Sequence, residues 1–230
     1  MPRKIERIDH AISIIGQQSF KQLILTAAII KAVDSLAHGE IDIEVFWRHS
    51  IFTGLVARRL ALHSYLPNCE RLFIAGLLHD IGQLIYFDIK PQKSLQVCDL
   101  VKRYGIDVTV AEHKVLGFDH QELGYELCKH WQLPSWLQQT ILHHHSPQLA
   151  SEYQAEASII YLASYITAQY YPGLPSHEHK GPVIYNSSRN DLAWKAINLS
   201  EDVIEYVVEE ATEQFEDVLN SLLPKVNIAV

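Results

Sequence analysis

One segment, residues 72–84, constrains the fold of this chain more strongly than any other. Its first seven residues, 72–78, are all apolar or glycine, so a helix over them is apolar on every side. A helix of that kind lies at the centre of a fold. His79 and Asp80 follow directly, and a charged carboxylate is rarely buried without a partner. The sequence therefore predicts that a cation or a dense hydrogen-bond network lies at Asp80.

A second histidine occupies the inward face of another predicted helix, over residues 43–62. Val45, His49, Phe52, Val56 and Leu60 share one stripe at spacings of four, three, four and four residues. His49 thus replaces an apolar residue on this face. A lone histidine in such a place is usually a hydrogen-bonded core residue. His49 is therefore a candidate ligand only together with other histidines.

More histidines fall on two later helices. Asp119 and Glu122 form a capping-box pattern, which places His120 in the first turn of a helix. His144 and His145 end the next helix, where they would supply two ligands or form a cluster that the helix dipole favours. The other histidines have no supporting context and are interpreted as surface or structural residues: His10, His38, His63, His113, His130, His177 and His179.

Imidazole and carboxylate groups from separate helices can meet only inside a helical bundle. Together they suit iron, manganese, zinc or nickel as a bound divalent ion. The candidate metal ligands are His49, His79, Asp80, His120, His144 and His145. The plainer alternative is that these histidines only hydrogen-bond one another in the core.

The whole chain is predicted to be helical. Periodicity, caps and turn residues predict helices over residues 8–15, 20–36, 43–62, 67–82, 94–104, 108–116, 120–131, 133–145, 155–170 and 200–223. Residues 84–87 are interpreted as an apolar tail leading to a surface segment that contains Pro91, and residues 172–189 as a loop. No alternating strand pattern of useful length occurs, so the fold class is all-α.

Composition and charge exclude several classes of protein. The formal net charge of −8 argues against unspecific binding to nucleic acid or to an acidic membrane surface. We expect neither a membrane span nor a signal peptide. The three cysteines, Cys69, Cys98 and Cys128, are odd in number and widely spaced. This usage suits a reducing cytoplasm, so we expect a cytoplasmic protein without a disulfide framework.

These motifs resemble the HD superfamily of metal-dependent phosphohydrolases and, more narrowly, the HDOD family of bacterial signalling output domains. The resemblance covers most of residues 8–170 and rests on His49 and the segments 8–16, 75–82, 116–124, 131–134 and 141–147. It implies a helical bundle of the HD type over residues 1–175, with residues 176–230 packed on the same domain. It also implies that the helices which usually precede the segment 8–16 are missing from this chain.

The resemblance assigns roles to the candidate ligands. His49, His79 and Asp80 match three ligands of the HD metal site. His120, His144 and His145 match the additional histidines of the more distant HD-GYP branch, which contains metal-dependent cyclic-di-GMP phosphodiesterases. The Gly-Tyr-Pro loop of that branch is absent, because residues 146–148 are Ser-Pro-Gln.

Three further positions depart from the family pattern. The last HD ligand is an aspartate, but Ser164 stands at the matching position, and serine is a poor neutral ligand for a divalent ion. Gln83 replaces a lysine that binds phosphate, and Val45 replaces a glutamate of the HD-GYP branch. Loss of the anionic ligand weakens metal binding, and loss of the lysine weakens substrate binding.

The sequence therefore favours a non-catalytic regulatory domain of a bacterial signalling pathway. Such a domain binds a protein partner and retains a degenerate site for a divalent metal or a nucleotide ligand. No catalytic residue is assigned. The alternative is a metal-dependent phosphohydrolase that acts on a nucleotide or a cyclic dinucleotide.

Overall fold

A computed structural model describes residues 42–171 and 187–223 of the chain. The helices are α1 (Ile43–His63), α2 (Glu70–Leu78), α3 (Ile81–Ile89), α4 (Pro91–Tyr104), α5 (Val108–Leu116), α6 (His120–His130), α7 (Ser135–His143), α8 (Gln154–Tyr170), α9 (Ser187–Ala196) and α10 (Ile204–Leu222). Short 3-10 helices cover Pro147–Leu149 and Glu201–Val203. No strand occurs among these residues, and the all-α class is confirmed.

Some predictions fall outside the described part of the chain. The predicted helices over residues 8–15 and 20–36 lie there, and so do His10, His38, His177 and His179. The predicted division at residue 175 also lies there.

Helix α1 forms the centre of the main core, because it packs against α2, α8 and α10. Its side chains Ile51, Phe52 and Leu55 are almost completely buried. Helix α10 covers α1 with an apolar stripe that includes Val207 and Phe215, while most of its acidic residues are exposed. Burial of this stripe explains why an acidic segment forms a stable helix here.

Helices α4 and α5 form a hairpin beside the main core. They pack mainly against each other through a small apolar core of Val97, Val101 and Ala111. The hairpin packs on α3 through α4, and a hydrogen bond from Tyr86 to Glu112 joins α3 to α5.

Two close helix crossings bring the candidate ligands within reach of one another. A Cβ atom at Gly76 of α2 would lie 2.6 Å from the Cα of Gly54 in α1, and one at Gly82 of α3 would lie 2.1 Å from the carbonyl oxygen of His120. Both distances are too short for any side chain, so the crossings require glycine. The first crossing sets α1, with His49, against α2, and the second sets α6 against the start of α3.

The chain breaks its helix at the histidine–aspartate pair, which corrects the single helix predicted over residues 67–82. Helix α2 ends at Leu78 and α3 begins at Ile81, and Asp80 between them has a non-helical conformation with φ −101° and ψ 13°. The pair therefore lies at a junction between two buried helices.

The prediction of an apolar tail over residues 84–87 is also wrong, because a second helix begins after the break at Asp80. These residues lie within α3, and most of them are buried. Pro91 is the first residue of α4, a position where its missing N–H removes no helical hydrogen bond. The residues around Pro91 are exposed, as predicted, but they belong to the ends of α3 and α4, which only Lys90 separates.

Most of the loop predicted over residues 172–189 lies outside the described residues, but its last three residues belong to α9, a helix that was not predicted. The first turn of this helix is polar and resembles a loop in composition. Trp194 is buried in the main core, and Asn190 accepts a hydrogen bond of 2.8 Å from the Tyr161 hydroxyl of α8. Tertiary contacts thus stabilise a helix that the polar composition of its first turn does not indicate.

Other predicted boundaries are confirmed. Helix α5 spans the predicted residues 108–116 and ends at Gly117, whose φ of 86° is left-handed. Asp119 and Glu122 form both reciprocal hydrogen bonds of the predicted capping box at the start of α6. These boundaries depend on local hydrogen bonds and backbone conformation, which a sequence encodes directly.

One described segment, Glu70–Ile89, is long and apolar enough to cross a membrane. It is interrupted at Asp80, and most of it is buried inside the protein. Its apolar surface is used by the core of the helical bundle.

Replacement of Gly82 by alanine should lower the free energy of unfolding by about 3 kcal/mol, because the added Cβ forces α3 and α6 apart. The matched control is Gly105→Ala, where φ is +59° and nothing lies within 4 Å of the added Cβ. That change should cost about 1 kcal/mol through backbone strain alone. Urea unfolding of both variants measures the difference, and equal losses would contradict the steric explanation.

Candidate metal centre

The break between α2 and α3 lets the carboxylate of Asp80 face other helices. An aspartate before a helix usually accepts hydrogen bonds from the first backbone N–H groups, but the side chain of Asp80 makes no such bond. The side chain is 2% exposed. Its position at the N-terminus of α3 favours negative charge through the helix dipole.

On one side of Asp80 lie His49 of α1 and His79 at the end of α2. One potential ligand atom from each of the three residues lies within 4.8 Å of the others. Nε2 of His79 is 3.1 Å from Oδ2 of Asp80, and the rings of His49 and His79 are 5.6 Å apart between centroids. We call these three residues the His49 subsite.

On the other side of Asp80 lie His120, His144 and His145. The Nε2 atoms of His120 and His144 are 3.2 Å apart, and they lie 3.4 and 3.5 Å from Oδ1 of Asp80. Ligand atoms of all four residues lie within 4.8 Å of one another. We call these residues the His120 subsite. The structure thus brings together all six candidate ligands in two subsites that share Asp80.

Hydrogen bonds behind two of the rings determine which nitrogen faces Asp80. Nδ1 of His79 donates to the carbonyl of Gly76 at 2.7 Å, and Nδ1 of His144 donates to that of Ile141 at 2.8 Å. A carbonyl oxygen only accepts, so the proton is assigned to Nδ1 and each Nε2 presents a lone pair inward. Nε2 of His79 has no hydrogen-bond partner among the described residues, although it approaches Oδ2 of Asp80.

Glu112 of α5, which the sequence analysis overlooked, holds a third ring. Its Oε2 accepts hydrogen bonds from Nδ1 and from the backbone N–H of His120, at 2.7 and 3.0 Å. Its Oε1 accepts one from the hydroxyl of Tyr86 at 2.7 Å. This fully buried carboxylate directs Nε2 of His120 toward Asp80. A carboxylate behind a histidine in this manner is typical of metal ligands.

A pattern that would have indicated Glu112 is present in the sequence. Val108, Ala111, Glu112 and Val115 follow one another at spacings of three, one and three residues, so Glu112 stands on the apolar side of α5. A charged residue on an inward helix face is the same signal that drew attention to His49.

Neighbouring charges shift the pKa values of two central histidines in opposite directions. Burial disfavours the charged form of His120, but Glu112 and Asp80 outweigh this effect and raise its pKa to about 9. Burial, together with the positive charge of His120, lowers the pKa of His144 to about 4. In the metal-free state His120 therefore donates a proton from its Nε2 to the lone pair on Nε2 of His144. A metal ion that binds both nitrogens would have to displace this proton.

The side chains at the three positions that depart from the HD pattern are uncharged. Ser164 is buried on α8, and Gln83 is buried in the first turn of α3. Val45 is half-buried on α1. The hydroxyl of Thr53 in α1 donates to that of Thr167 in α8 at 3.2 Å, which ties the helix of His49 to the helix of Ser164.

Histidines outside the two subsites include His63, His113 and His130, which are exposed as predicted. His113 forms a third group of potential ligands with Asp119 and Glu122. Both carboxylates are already used in the capping box of α6, so we assign this group no metal.

The residues of the two subsites fit a divalent metal ion. Imidazole nitrogens with a carboxylate oxygen suit zinc, iron, manganese or nickel. Hydrogen bonds at the opposite nitrogen of His79, His120 and His144 provide the outer support that metal-binding histidines need. The geometry agrees with the metal role predicted for the six residues, and that role remains a prediction.

Comparison with known proteins places this geometry in a family. The HDOD domain family matches residues 1–147, more than half of the chain. A curated protein of Treponema pallidum, itself uncharacterised, is 22% identical over 180 residues. The match covers 77% of this chain and 34% of that protein, so the chain spans about a third of the length of this relative.

Solved structures show the same fold. An HDOD domain protein of unknown function from Geobacter sulfurreducens has a TM-score of 0.76 at 24% identity, over 97% of this chain and 77% of that chain. A candidate phosphohydrolase of Shewanella amazonensis has a TM-score of 0.69 at 22% identity, over 92% and 74% of the two chains. A candidate signal transduction protein of Marinobacter aquaeolei has a TM-score of 0.68 at 18% identity, over 87% and 44%.

Replacement of Glu112 by glutamine should weaken divalent metal binding by about 10- to 100-fold, because His120 loses the charge that orients it and increases its basicity. The matched control is Glu126→Gln, an exposed carboxylate of α6 that pairs with Lys129. Competition with a chromophoric chelator measures both affinities. Equal affinities in the two variants would contradict an orienting role for Glu112.

The metal-free protein should be most stable near pH 6.5. The pKa of His120 is raised from 6.5 to about 9, so its stabilisation is fully present below pH 6.5 and is lost as the pH rises through 9. The pKa of His144 is lowered from 6.5 to about 4, so protonation of the unfolded state destabilises the fold as the pH falls below 6.5.

The loss between pH 6.5 and pH 10 should be on the order of 3 kcal/mol. Urea unfolding in the presence of a chelator measures it. His120→Gln should remove most of the alkaline loss, whereas His113→Gln, at an exposed position, should leave it unchanged. An alkaline loss that persists in full in His120→Gln would refute the assignment.

Proposed function

The chain belongs to the HDOD domain family, and on this basis we propose that it is a non-catalytic regulatory domain of a bacterial signalling pathway. In this proposal the buried histidine–aspartate centre binds a divalent metal ion as a structural or sensory element. The domain acts by binding a protein partner. The candidate signal transduction protein with a similar fold supports this direction.

The observation that carries the proposal is that the potential metal ligands are present, whereas a carboxylate and a phosphate-binding lysine of the HD pattern are not. Five histidines surround Asp80, so the two subsites hold six potential ligands. In contrast, the positions of the last carboxylate and of the phosphate-binding lysine hold Ser164 and Gln83. A bound metal ion supplies Lewis acidity and can activate a water molecule. Phosphate-ester hydrolysis also needs cationic groups that stabilise the developing charge. Removal of one such group typically lowers the rate by about 10²- to 10³-fold.

The residues themselves support tight positioning of a metal. Asp80 offers one carboxylate oxygen to each subsite. The Nδ1 hydrogen bonds of His79 and His144 hold their Nε2 atoms inward, and Glu112 does the same for His120. None of these interactions requires a substrate, so the centre is organised before any ligand binds.

A second candidate function is metal-dependent phosphohydrolysis of a nucleotide or a cyclic dinucleotide. It is favoured by the His49 subsite, whose two histidines and one carboxylate leave coordination positions open for water. The candidate phosphohydrolase with a similar fold points the same way.

The compartment is part of the proposal. Cys69, Cys98 and Cys128 are free thiols in the structure. Unpaired cysteines suit a reducing cytoplasm, where a bacterial regulatory domain would meet its partner.

Metal analysis and activity assays on the same preparation distinguish the two functions. The purified chain, loaded in turn with zinc, iron, manganese and nickel, is tested against cyclic dinucleotides, nucleoside monophosphates and a chromogenic phosphodiester. The regulatory function predicts at least one bound metal ion per chain and no turnover above that of Asp80→Asn. His130→Ala, at an exposed histidine, is the control and should retain the metal.

Turnover that disappears in both Asp80→Asn and His79→Ala would establish the phosphohydrolase instead. A chain that binds none of the four metals would show that the histidines only hydrogen-bond one another.

A further inference from the structure

We propose that the two subsites are unequal, and that the first metal ion bound is a zinc-type structural ion in the His120 subsite. The proposal rests on the metal binding proposed above. It specifies which ligands bind first, the coordination geometry and the consequence for the fold. Under it, the family's histidine–aspartate pair contributes only Asp80 to the tighter site.

Three ligand atoms of the His120 subsite already have the spacing of a tetrahedral site. The Nε2 atoms of His120 and His144 and Oδ1 of Asp80 form a triangle with sides of 3.2, 3.4 and 3.5 Å. Zinc bonds of roughly 2.0–2.1 Å to nitrogen and oxygen give a tetrahedron with edges of about 3.3–3.4 Å. The triangle therefore matches one face of a tetrahedral zinc site without rearrangement.

His145 is placed to complete that tetrahedron. Its ring lies 4.8 Å from the ring of His120 and 4.4 Å from that of His144, between centroids. Its backbone is held from two sides, because its N–H donates to Oε1 of Gln121 at 2.9 Å and its carbonyl accepts from Nη1 of Arg189 at 3.3 Å. These bonds fix the residue while its side chain stays partly accessible, which gives an ion a path to the site.

The His49 subsite is the weaker of the two. It offers three ligands where the His120 subsite offers four, and Ser164 provides no second carboxylate. Its single carboxylate, Asp80, is shared. Once a dication occupies the His120 subsite, Asp80 is partly neutralised and a second dication is repelled at short range. Binding is therefore sequential, with the His49 subsite filled second.

Four protein ligands leave a tetrahedral ion no open position for water or substrate, as in structural zinc sites. The ion would join three parts of the fold, namely the α2–α3 junction, α6 and the end of α7. Its binding energy would then add to the stability of the fold. This role agrees with the non-catalytic function.

Titration of the chelator-treated protein with Zn²⁺ tests the order of binding. The wild type should bind one equivalent at least tenfold more tightly than a second, and the first equivalent should raise the melting temperature. His49→Ala should retain the tight equivalent and lose the weak one. His145→Gln should weaken the tight equivalent at least tenfold, while His143→Ala, at the neighbouring position outside both subsites, should behave as the wild type does.

Cobalt provides a measurement on the unmodified chain, so the result does not depend on the folding of a variant. One equivalent of Co²⁺ should give the intense visible absorption of tetrahedral coordination. The weak absorption of octahedral coordination should be absent. A weak octahedral spectrum overturns the inference. A tight equivalent that His49→Ala abolishes and His145→Gln keeps also overturns it while leaving the proposed function intact. Absence of any tight equivalent in the wild type overturns both.

Discussion

A buried carboxylate dictates the arrangement of this protein. Asp80 lies at the junction of two apolar helices, where an uncompensated charge would cost several kcal/mol, on the order of the whole stability of a domain. Nε2 atoms of His79, His120 and His144 lie 3.1 to 3.5 Å from its oxygens. These rings come from different helices, so the bundle can satisfy Asp80 only if those helices pack around one point. The position of the junction thus determines much of the remaining topology.

Glycine makes this convergence sterically possible. The contact between Gly54 and Gly76 lets α1 approach α2, and Gly82 lets α3 meet the backbone of α6 at His120. Larger residues at these positions would force apart the helices that carry Asp80 and the histidines. Hydrogen bonds to Nδ1 then select the inward atom of each ring, so packing and polar chemistry reinforce each other.

Much of this was accessible from the sequence, because it depends on local pattern. The inward stripe around His49, the capping box of Asp119 and Glu122, and the glycine at position 117 are all short-range signals. The break at Asp80 was missed, because apolar residues continue on both sides and the cause is tertiary satisfaction of the carboxylate. Helix α9 was not predicted, because burial of Trp194 stabilises a helix whose first turn is polar. Glu112 was overlooked because its significance lies in a residue eight positions away on another helix.

The position of Glu112 has a consequence for the α4–α5 hairpin. This hairpin has its own small core of Val97, Val101 and Ala111, and Glu112 connects it to Tyr86 of α3 and His120 of α6 through a single buried side chain. Any molecule that displaced α5 would also rotate an imidazole at the centre of the bundle. By thermodynamic reciprocity, occupancy of that centre would resist the displacement by the same free energy. The carboxylate of Glu112 therefore couples the position of the hairpin to the orientation of His120.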